Sequence, residues 1–322
     1  MDKVKREYRS RNDKGDAYMI AYQIFPGIEI MYNSIHTDRC HLGGSNEGEF
    51  IEIHHCMEGR MEQHQEGVFF YLMPGDLSIS RKKRYPCEYS FPLRHYHGIT
   101  ILIDMATAPE CFSCFLEDVD ISPVEVSKRL CGRDDHFVLR SQNYIEHIFS
   151  EVYPLFEKNV YPGKNRAQKG AAKDADLESC QKGYLKVKVL ELLIVLNGIS
   201  PEENSVSFLA LSKAQTDLAK KAADYLAAHM DEQVKVRDLA ARFYVSQTHI
   251  QNVFKGVYGV PVQSYIRILK MQAAASMLVY TDLSVLEIAS RSGYDNSSKF
   301  AHAFRKIMGE TPVEYRKMHG KQ

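Results

Sequence analysis

The sequence predicts an α+β chain of two domains: a β-rich N-terminal part with accessory helices, then an all-helical part holding two helix-turn-helix units. Three observations predict it. At 322 residues the chain has about twice the usual domain length. Short apolar runs broken by Gly, Pro and Asn fill Ile20 to Ile103, and helical periodicity takes over after about Ala108. The charge is also divided. Lys213 to Gln322 carries 16 Lys/Arg against 10 Asp/Glu, a net of +6, which leaves 25 against 31, a net of −6, before it.

A content of 44% hydrophobic and 25% charged residues excludes disordered, collagen-like and membrane-embedded classes. The formal net charge of zero argues against a nucleic-acid partner only if charge is evenly spread, and it is not. All seven cysteines (Cys40, Cys56, Cys87, Cys111, Cys114, Cys131, Cys180) precede residue 213. Their odd number and irregular spacing point to reduced thiols in a cytosol. No signal peptide is visible, and the apolar run Val189 to Leu196 is too short to span a bilayer, so a soluble cytoplasmic protein is expected. The expected division is 1–197, a linker at 198–212 opening Gly198-Ile199-Ser200-Pro201, and 213–322.

In order along the chain, residues 1–16 read as polar and frayed. Ile28–Tyr32, Phe50–Cys56, Val68–Met73, Leu77–Ser80, Glu88–Phe91 and Tyr96–Ile103 read as strands, with turns at Met57–Arg60 and Met73–Asp76. Closely spaced short strands without alternating helices predict a sandwich or barrel. Arg81-Lys82-Lys83-Arg84 reads as a solvated loop between two strands. A helix is predicted over 141–158, kinked at Pro154, then an exposed loop over 159–182. Leu185, Val189, Leu192, Leu193 and Leu196 form the stripe of a second helix, fit either to pack on the strands or to pair two copies about a two-fold axis.

The last hundred residues contain an approximate repeat, Val234 to Tyr265 against Leu283 to Tyr315. Leu239-Ala240 answers Ile288-Ala289 at an offset of 49, and Ile250, Phe254, Gly259 and Tyr265 answer Phe300, Phe304, Gly309 and Tyr315 at 50. Each copy reads as helix-turn-helix. In the second, Ser284 and Glu287 form a capping box, Leu283 and Ile288 a hydrophobic staple, Gly293 a left-handed end, and Asp295 the cap of the next helix. In the first, Ser246 caps the second helix, Lys235 is a poor cap, and Phe243-Tyr244 stand where the turn glycine would be. A helix from about Pro261 to Tyr280, with Ile266, Leu269, Ala273 and Leu278, joins the copies.

The outward faces are then Gln247, Thr248, Gln251, Asn252 and Lys255, and Ser297, Ser298, Lys299, His302, Arg305 and Lys306. Gln and Asn can pair bidentately with adenine, and Ser and Thr suit either type of base edge. The basic groups suit phosphates, which position without specifying. Held rigidly, two such helices could enter successive major-groove segments about 34 Å apart.

From about Ala214 to Lys317 the chain resembles the DNA-binding domain of AraC/XylS transcription regulators. The resemblance rests on KKAADYLAAHMDEQVKVRDLAARFYVS, QNVFKGVYG and IASRSGYDNSSKFAHAFRKIMGETPVEYR. It departs at Pro261-Val262, where Ser/Thr-Pro is usual, and at Lys270, where arginine is common. The resemblance implies base reading by Thr248, Gln251, Asn252, Ser297, Ser298 and His302, leaving Gln247, Lys255, Lys299, Arg305 and Lys306 for phosphates. It further implies a cupin-like N-terminal β-barrel that senses a small molecule and dimerises, and the Met73-Pro74-Gly75-Asp76 turn is similar to one common in such barrels.

His54, His55, His64, His95 and His97 with Glu58 raise the question of a metal. His54 and His55, adjacent on a strand, point to opposite faces and cannot share a site. His95 and His97 can, but no glutamate follows at suitable spacing, so no metal or other cofactor is expected. Cys111-Phe-Ser-Cys114 has no partner motif. No catalytic constellation is visible, and the expectation is a ligand-responsive regulator, not an enzyme. Expected partners are double-stranded promoter DNA, an unknown small-molecule effector, RNA polymerase and a second copy, and no membrane. The rivals are a cupin metalloenzyme fused to a DNA-binding tail, and a regulator controlled by a partner protein.

Overall fold

Alternation along Ile28–His36 (β3) turns Ile28, Ile30 and Tyr32 to one face and Met31, Asn33 and Ile35 to the other, and both faces are buried. A strand covered on both sides needs a sheet with a layer above and a layer below. The computed structural model describes residues 5–12, 15–42, 46–65, 67–85, 88–110, 112, 121–133, 135–140, 142–160, 171–201, 211–230, 232 and 234–319. The chain divides into two compact units, Met1–Ala210 and Leu211–Gln322.

The N-terminal unit holds Lys5–Asn12 (β1), Gly15–Phe25 (β2), β3, Arg39–His41 (β4), Asn46–Gly59 (β5), Met61–Gln65 (β6), Val68–Leu72 (β7), Leu77–Tyr85 (β8), Glu88–Ser90 (β9), Tyr96–Asp104 (β10) and His136–Leu139 (β11). Its helices are Pro123–Cys131 (α1), Asn143–Val160 (α2) and Ala171–Asn197 (α3). One antiparallel sheet runs in the order β1-β2-β3-β10-β5-β8-β11, and the second runs β7-β6-β9-β4 within this unit.

Met31, Ile35, Cys56 and Tyr96 of the large sheet meet Met61, Phe70, Leu72 and Tyr89 of the small one. The large sheet's opposite face, with Tyr32, Ile53, Ile99 and Ile101, is covered by Phe149, Val152 and Phe156 of α2 and Leu185, Val189, Leu192, Leu193 and Leu196 of α3. Each large apolar side chain buried this way contributes roughly 1.5–3 kcal/mol.

Several expectations change. The first and last strands of the large sheet, β1 and β11, do not pair with each other, so this part is a two-sheet sandwich and not a closed barrel among the described residues. Lys5–Asn12 is not frayed: it is an edge strand in register with β2, Lys5 opposite Tyr22 through Asn12 opposite Gly15. Its charged side chains conceal it, because an edge strand is held by backbone pairing and not by an apolar stripe. Arg81–Arg84 is no loop but lies in β8, with Arg81 opposite Ile51 and its guanidinium donating to the Gly132 carbonyl at the end of α1 (3.0 Å).

Of the loop expected over 159–182, residues 159–160 belong to α2 and 171–182 to α3, since Ala- and Lys-containing sequence carries helix propensity without an apolar stripe, and residues 161–170 lie outside the described residues. The helix expected over 141–158 is α2, continuous through Pro154. The leucine stripe of α3 is spent on its own core. Cys111, Cys114, Cys87 and linker residues 202–210 lie outside the described residues. No helix among the described residues is long and apolar enough to cross a membrane.

The C-terminal unit is helical: Lys213–Ala228 (α4), Val236–Arg242 (α5), Gln247–Tyr258 (α6), Val262–Tyr280 (α7), Val285–Arg291 (α8), Ser297–Met308 (α9) and Pro312–His319 (α10). The connecting helix α7 buries Tyr265, Met271, Ala274, Ala275 and Leu278, while Ile266, Leu269 and Ala273 are only half-buried. Of the expected stripe Leu278 alone is fully covered, because α7 is contacted on more than one side and a single helical period does not describe it.

Candidate nucleic-acid interface

Each helix-turn-helix is set by its caps and its small residues. Ser284 accepts from the Glu287 backbone N–H (3.2 Å) and the Glu287 carboxylate accepts in return from the Ser284 backbone N–H (2.7 Å), closing the capping box that starts α8. These bonds to Ser284 hold the Glu287 carboxyl below its ordinary range. Ala240 and Ala289, both buried, are small enough for the second helix of each pair to cross closely.

Ser246 starts α6 by accepting from the His249 N–H (3.1 Å). The cap of α9 is Asn296, not Asp295: its Oδ1 accepts from Ser298 (2.8 Å) and Lys299 (3.2 Å). The one-residue difference follows from Asn296 adopting the extended backbone that a cap needs (φ −132°, ψ 118°). Lys235 makes no side-chain cap bond at α5.

The repeat is visible in three dimensions. Phe254 meets Tyr265 edge-on at 5.1 Å, and Phe304 meets Tyr315 edge-on at 5.5 Å. Gly293 takes φ +81° in the second turn, and at the matching place in the first Tyr244 takes φ +55°. A left-handed backbone is required at both turns, and the first copy meets it with a tyrosine that is 96% exposed.

The inward residues Ile250, Val253 and Phe254 of α6, and Phe300 and Phe304 of α9, are buried. Thr248, Gln251 and Asn252 on α6, and Ser297, Ser298 and His302 on α9, are exposed, as are Gln247, Lys255, Lys299, Arg305 and Lys306. Arg316 of α10 donates from Nε to the Leu278 carbonyl (3.2 Å) and from Nη2 to the Leu283 carbonyl, tying α10 to the end of α7 and to the start of the second unit.

A family description of a helix-turn-helix domain matches residues 239–318. Relatives include the regulatory protein PocR of Salmonella typhimurium, 30% identical over 97 residues, covering 30% of this chain and 32% of that protein. The right origin-binding protein of Escherichia coli is 32% identical over 93 residues, 29% of this chain and 32% of that one. The chain thus spans about a third of the length of these relatives. Among solved structures, a probable AraC family regulator from Rhodopseudomonas palustris is 21% identical and covers 33% of this chain and 99% of that one, with a TM-score of 0.30. The C-terminal unit is an AraC/XylS-type helix-turn-helix domain.

In this AraC/XylS-type domain the departure at Pro261 has a local result. Thr311, its counterpart, forms a capping box with Glu314 at α10, the Thr311 N–H donating at 2.9 Å and the Glu314 N–H donating back at 3.3 Å. Pro261 occupies the cap of α7 with no side-chain bond.

The N-terminal unit brings together polar groups that sequence spacing does not. Between the sheets, Asn33 Nδ2 donates to Thr100 Oγ1 (2.8 Å), His54 Nδ1 lies 2.9 Å from the same oxygen, and Gln63 Nε2 donates across the gap to Ser78 Oγ (3.0 Å). The Tyr89 hydroxyl donates to Glu52, a fully buried carboxylate. Burial opposes its charge, but His54 and Tyr89 outweigh this and leave it below the ordinary range. Asn33 Oδ1, Glu52 Oε1, Gln63 Oε1 and Ser80 Oγ are buried with no hydrogen-bond partner.

His55 points the other way, as expected, stacked on Phe149 (3.9 Å, 7°) with Nδ1 2.9 Å from the Tyr153 hydroxyl. On that outer face His36 joins His95 and His97, with ligand-capable atoms all within 4.8 Å of one another. His36, 59 residues before His95, has no spacing signal and arrives only through the pairing of β3 with β10.

Proposed function

We propose that the chain is a sequence-specific DNA-binding transcription regulator whose N-terminal unit senses a small molecule. The observation that carries the DNA reading is the pair of capped helices, α6 and α9, each presenting an exposed polar and basic face. At 1.5 Å per residue the 19-residue α7 between them is about 28 Å long, comparable to a turn of duplex. In this reading Thr248, Gln251, Asn252, Ser297, Ser298 and His302 meet base edges, and Gln247, Lys255, Lys299, Arg305 and Lys306 meet phosphates. Residues 213–322 are the reader, 1–197 the sensor, and 198–212 the linker.

The test is selection of bound fragments from random duplex DNA by the purified chain. The expected result is a motif of two segments about one helical turn apart. Enrichment of no motif overturns the reading.

Effector sensing is supported by the buried, unpaired oxygens of Asn33, Glu52, Gln63 and Ser80 between the two sheets. An unmade hydrogen bond of this kind costs about 1–3 kcal/mol, which a ligand with donors would recover. A thermal-shift screen tests effector sensing, since an effector at a hundred times its Kd adds about 2.7 kcal/mol. Pairing of two copies is supported by the outer face of α3, where Tyr184, Val187 and Ile194 are exposed at 40%, 59% and 43%. Light scattering of Val187→Asp against the parent decides whether that face joins copies.

A further inference from the structure

The pairing of β3 with β10 places Ser34 opposite His97 and Ile35 opposite Tyr96, so His36 stands beside His95. Opposite and i, i+2 positions share a face, which brings His36, His95 and His97 to one side of the sheet. On the other flank of β10, β5 sets Glu58 opposite His97, and its carboxylate reaches His95 Nε2 at 3.1 Å. Gly59 makes that approach feasible: it takes φ +83°, and a Cβ there would lie 1.9 Å from the His95 carbonyl oxygen.

The three rings lie 4.9 to 5.5 Å apart, centroid to centroid. Ser34 Oγ stands 3.4 Å from Nε2 of both His36 and His97. The Tyr32 hydroxyl lies 3.5 Å from His97 Nδ1, on the ring's far side, as an outer partner that orients a ligating imidazole does. The rings are half-buried, with Glu58 at the rim, so the cluster is open to entry of an ion.

We propose that His36, His95 and His97, with Glu58, form a divalent transition-metal site on the helix-facing side of the large sheet. Three imidazole nitrogens and one carboxylate suit zinc, cobalt or nickel and not the oxygen-seeking calcium or magnesium. The site lies on the opposite face from the intersheet layer of Asn33, Glu52 and His54, so it is separate from the groups proposed to meet an effector and does not depend on them. Bound metal would join β3, β10 and β5 at one end.

The test uses the full chain, free of any affinity tag and stripped with chelator, titrated with cobalt(II) chloride. Visible bands that saturate at one metal per chain and vanish on adding zinc are expected. Saturating metal should raise the melting temperature by about 5–10 °C at a hundred-fold excess over Kd. His36→Ala and His97→Ala should each abolish the bands, and Glu58→Gln should weaken binding about 10- to 100-fold. X-ray absorption of the unmutated cobalt protein should show nitrogen and oxygen neighbours and no sulfur, a readout that does not depend on any variant folding. A sulfur shell, an unchanged titration in the His36→Ala/His97→Ala double variant, or no bands at all would overturn the site.

Discussion

Tyr244 and Gly293 occupy matching turns with the same left-handed backbone, φ +55° and +81°. For a residue with a Cβ that conformation costs roughly 1–2 kcal/mol, partly offset by glycine's greater freedom in the unfolded chain. Tyr244→Gly should therefore stabilise the C-terminal unit by about 0.5–1 kcal/mol, and Gly293→Ala should destabilise it by about 1–2 kcal/mol. The space beside Gly293 is open, with Lys270 Nζ 3.5 Å from a built Cβ, so the backbone and not a clash sets the cost. Urea unfolding of the two variants measures both. On the reading face, Gln251→Ala should weaken DNA binding at particular base pairs. Arg305→Ala should weaken it on all sequences and lower the salt slope by about one. Titrations on a selected site and on random duplex separate the two, and equal losses on both for both variants would sink the assignment of roles.

Helices α6 and α9 are held by their starts. Asn296, and not the aspartate before it, satisfies two orphan amides of α9, so Asn296→Ala should cost about 1 kcal/mol while Asp295→Ala costs only a few tenths. Chemical denaturation with fragment binding as a second readout checks this, because a frayed start would also misplace Ser297 and Ser298. Caps were legible wherever the pattern was unambiguous, as at Ser246 and at the Ser284–Glu287 box. At α9 the cap expected from sequence, Asp295, is one residue early, since backbone geometry and not residue type decides which side chain faces the free N–H groups. Strands show the same divide. Several with an apolar face were found, but β2, β6 and β11, which also bury apolar side chains, were not, and β1, with Lys5, Arg6, Glu7, Arg9 and Arg11, is held by its ladder to β2.

At the scale of the molecule, acid should undo the N-terminal unit first through its histidines. Burial pushes His55 and His136 down to about 3 in the folded unit, below the ordinary 6.5. The unfolded chain then binds more protons between those values, so this stability is present above about pH 6.5 and is lost as pH falls toward 3. Each such histidine removes about 1.4 kcal/mol per pH unit within that window. Melting at pH 7 and pH 5, followed by near-ultraviolet circular dichroism, should show a lower transition at pH 5. His55→Gln should shrink the difference; an unchanged transition would show that His55 is not held neutral.

The charge of the whole chain, zero as a sum, divides into −6 and +6, and under the proposed function a DNA-binding unit of only modest charge would depend on base contacts more than on phosphates. Local spacing sufficed for the double helix-turn-helix, its repeat and its outward residues, because a helix's face, caps and turns are set by neighbours within four residues. It did not suffice for the open sandwich, the buried polar layer or the His36–His95–His97 cluster. Those depend on which strands pair and in which register, a choice made by burial across the whole unit, and no short stretch of sequence records it.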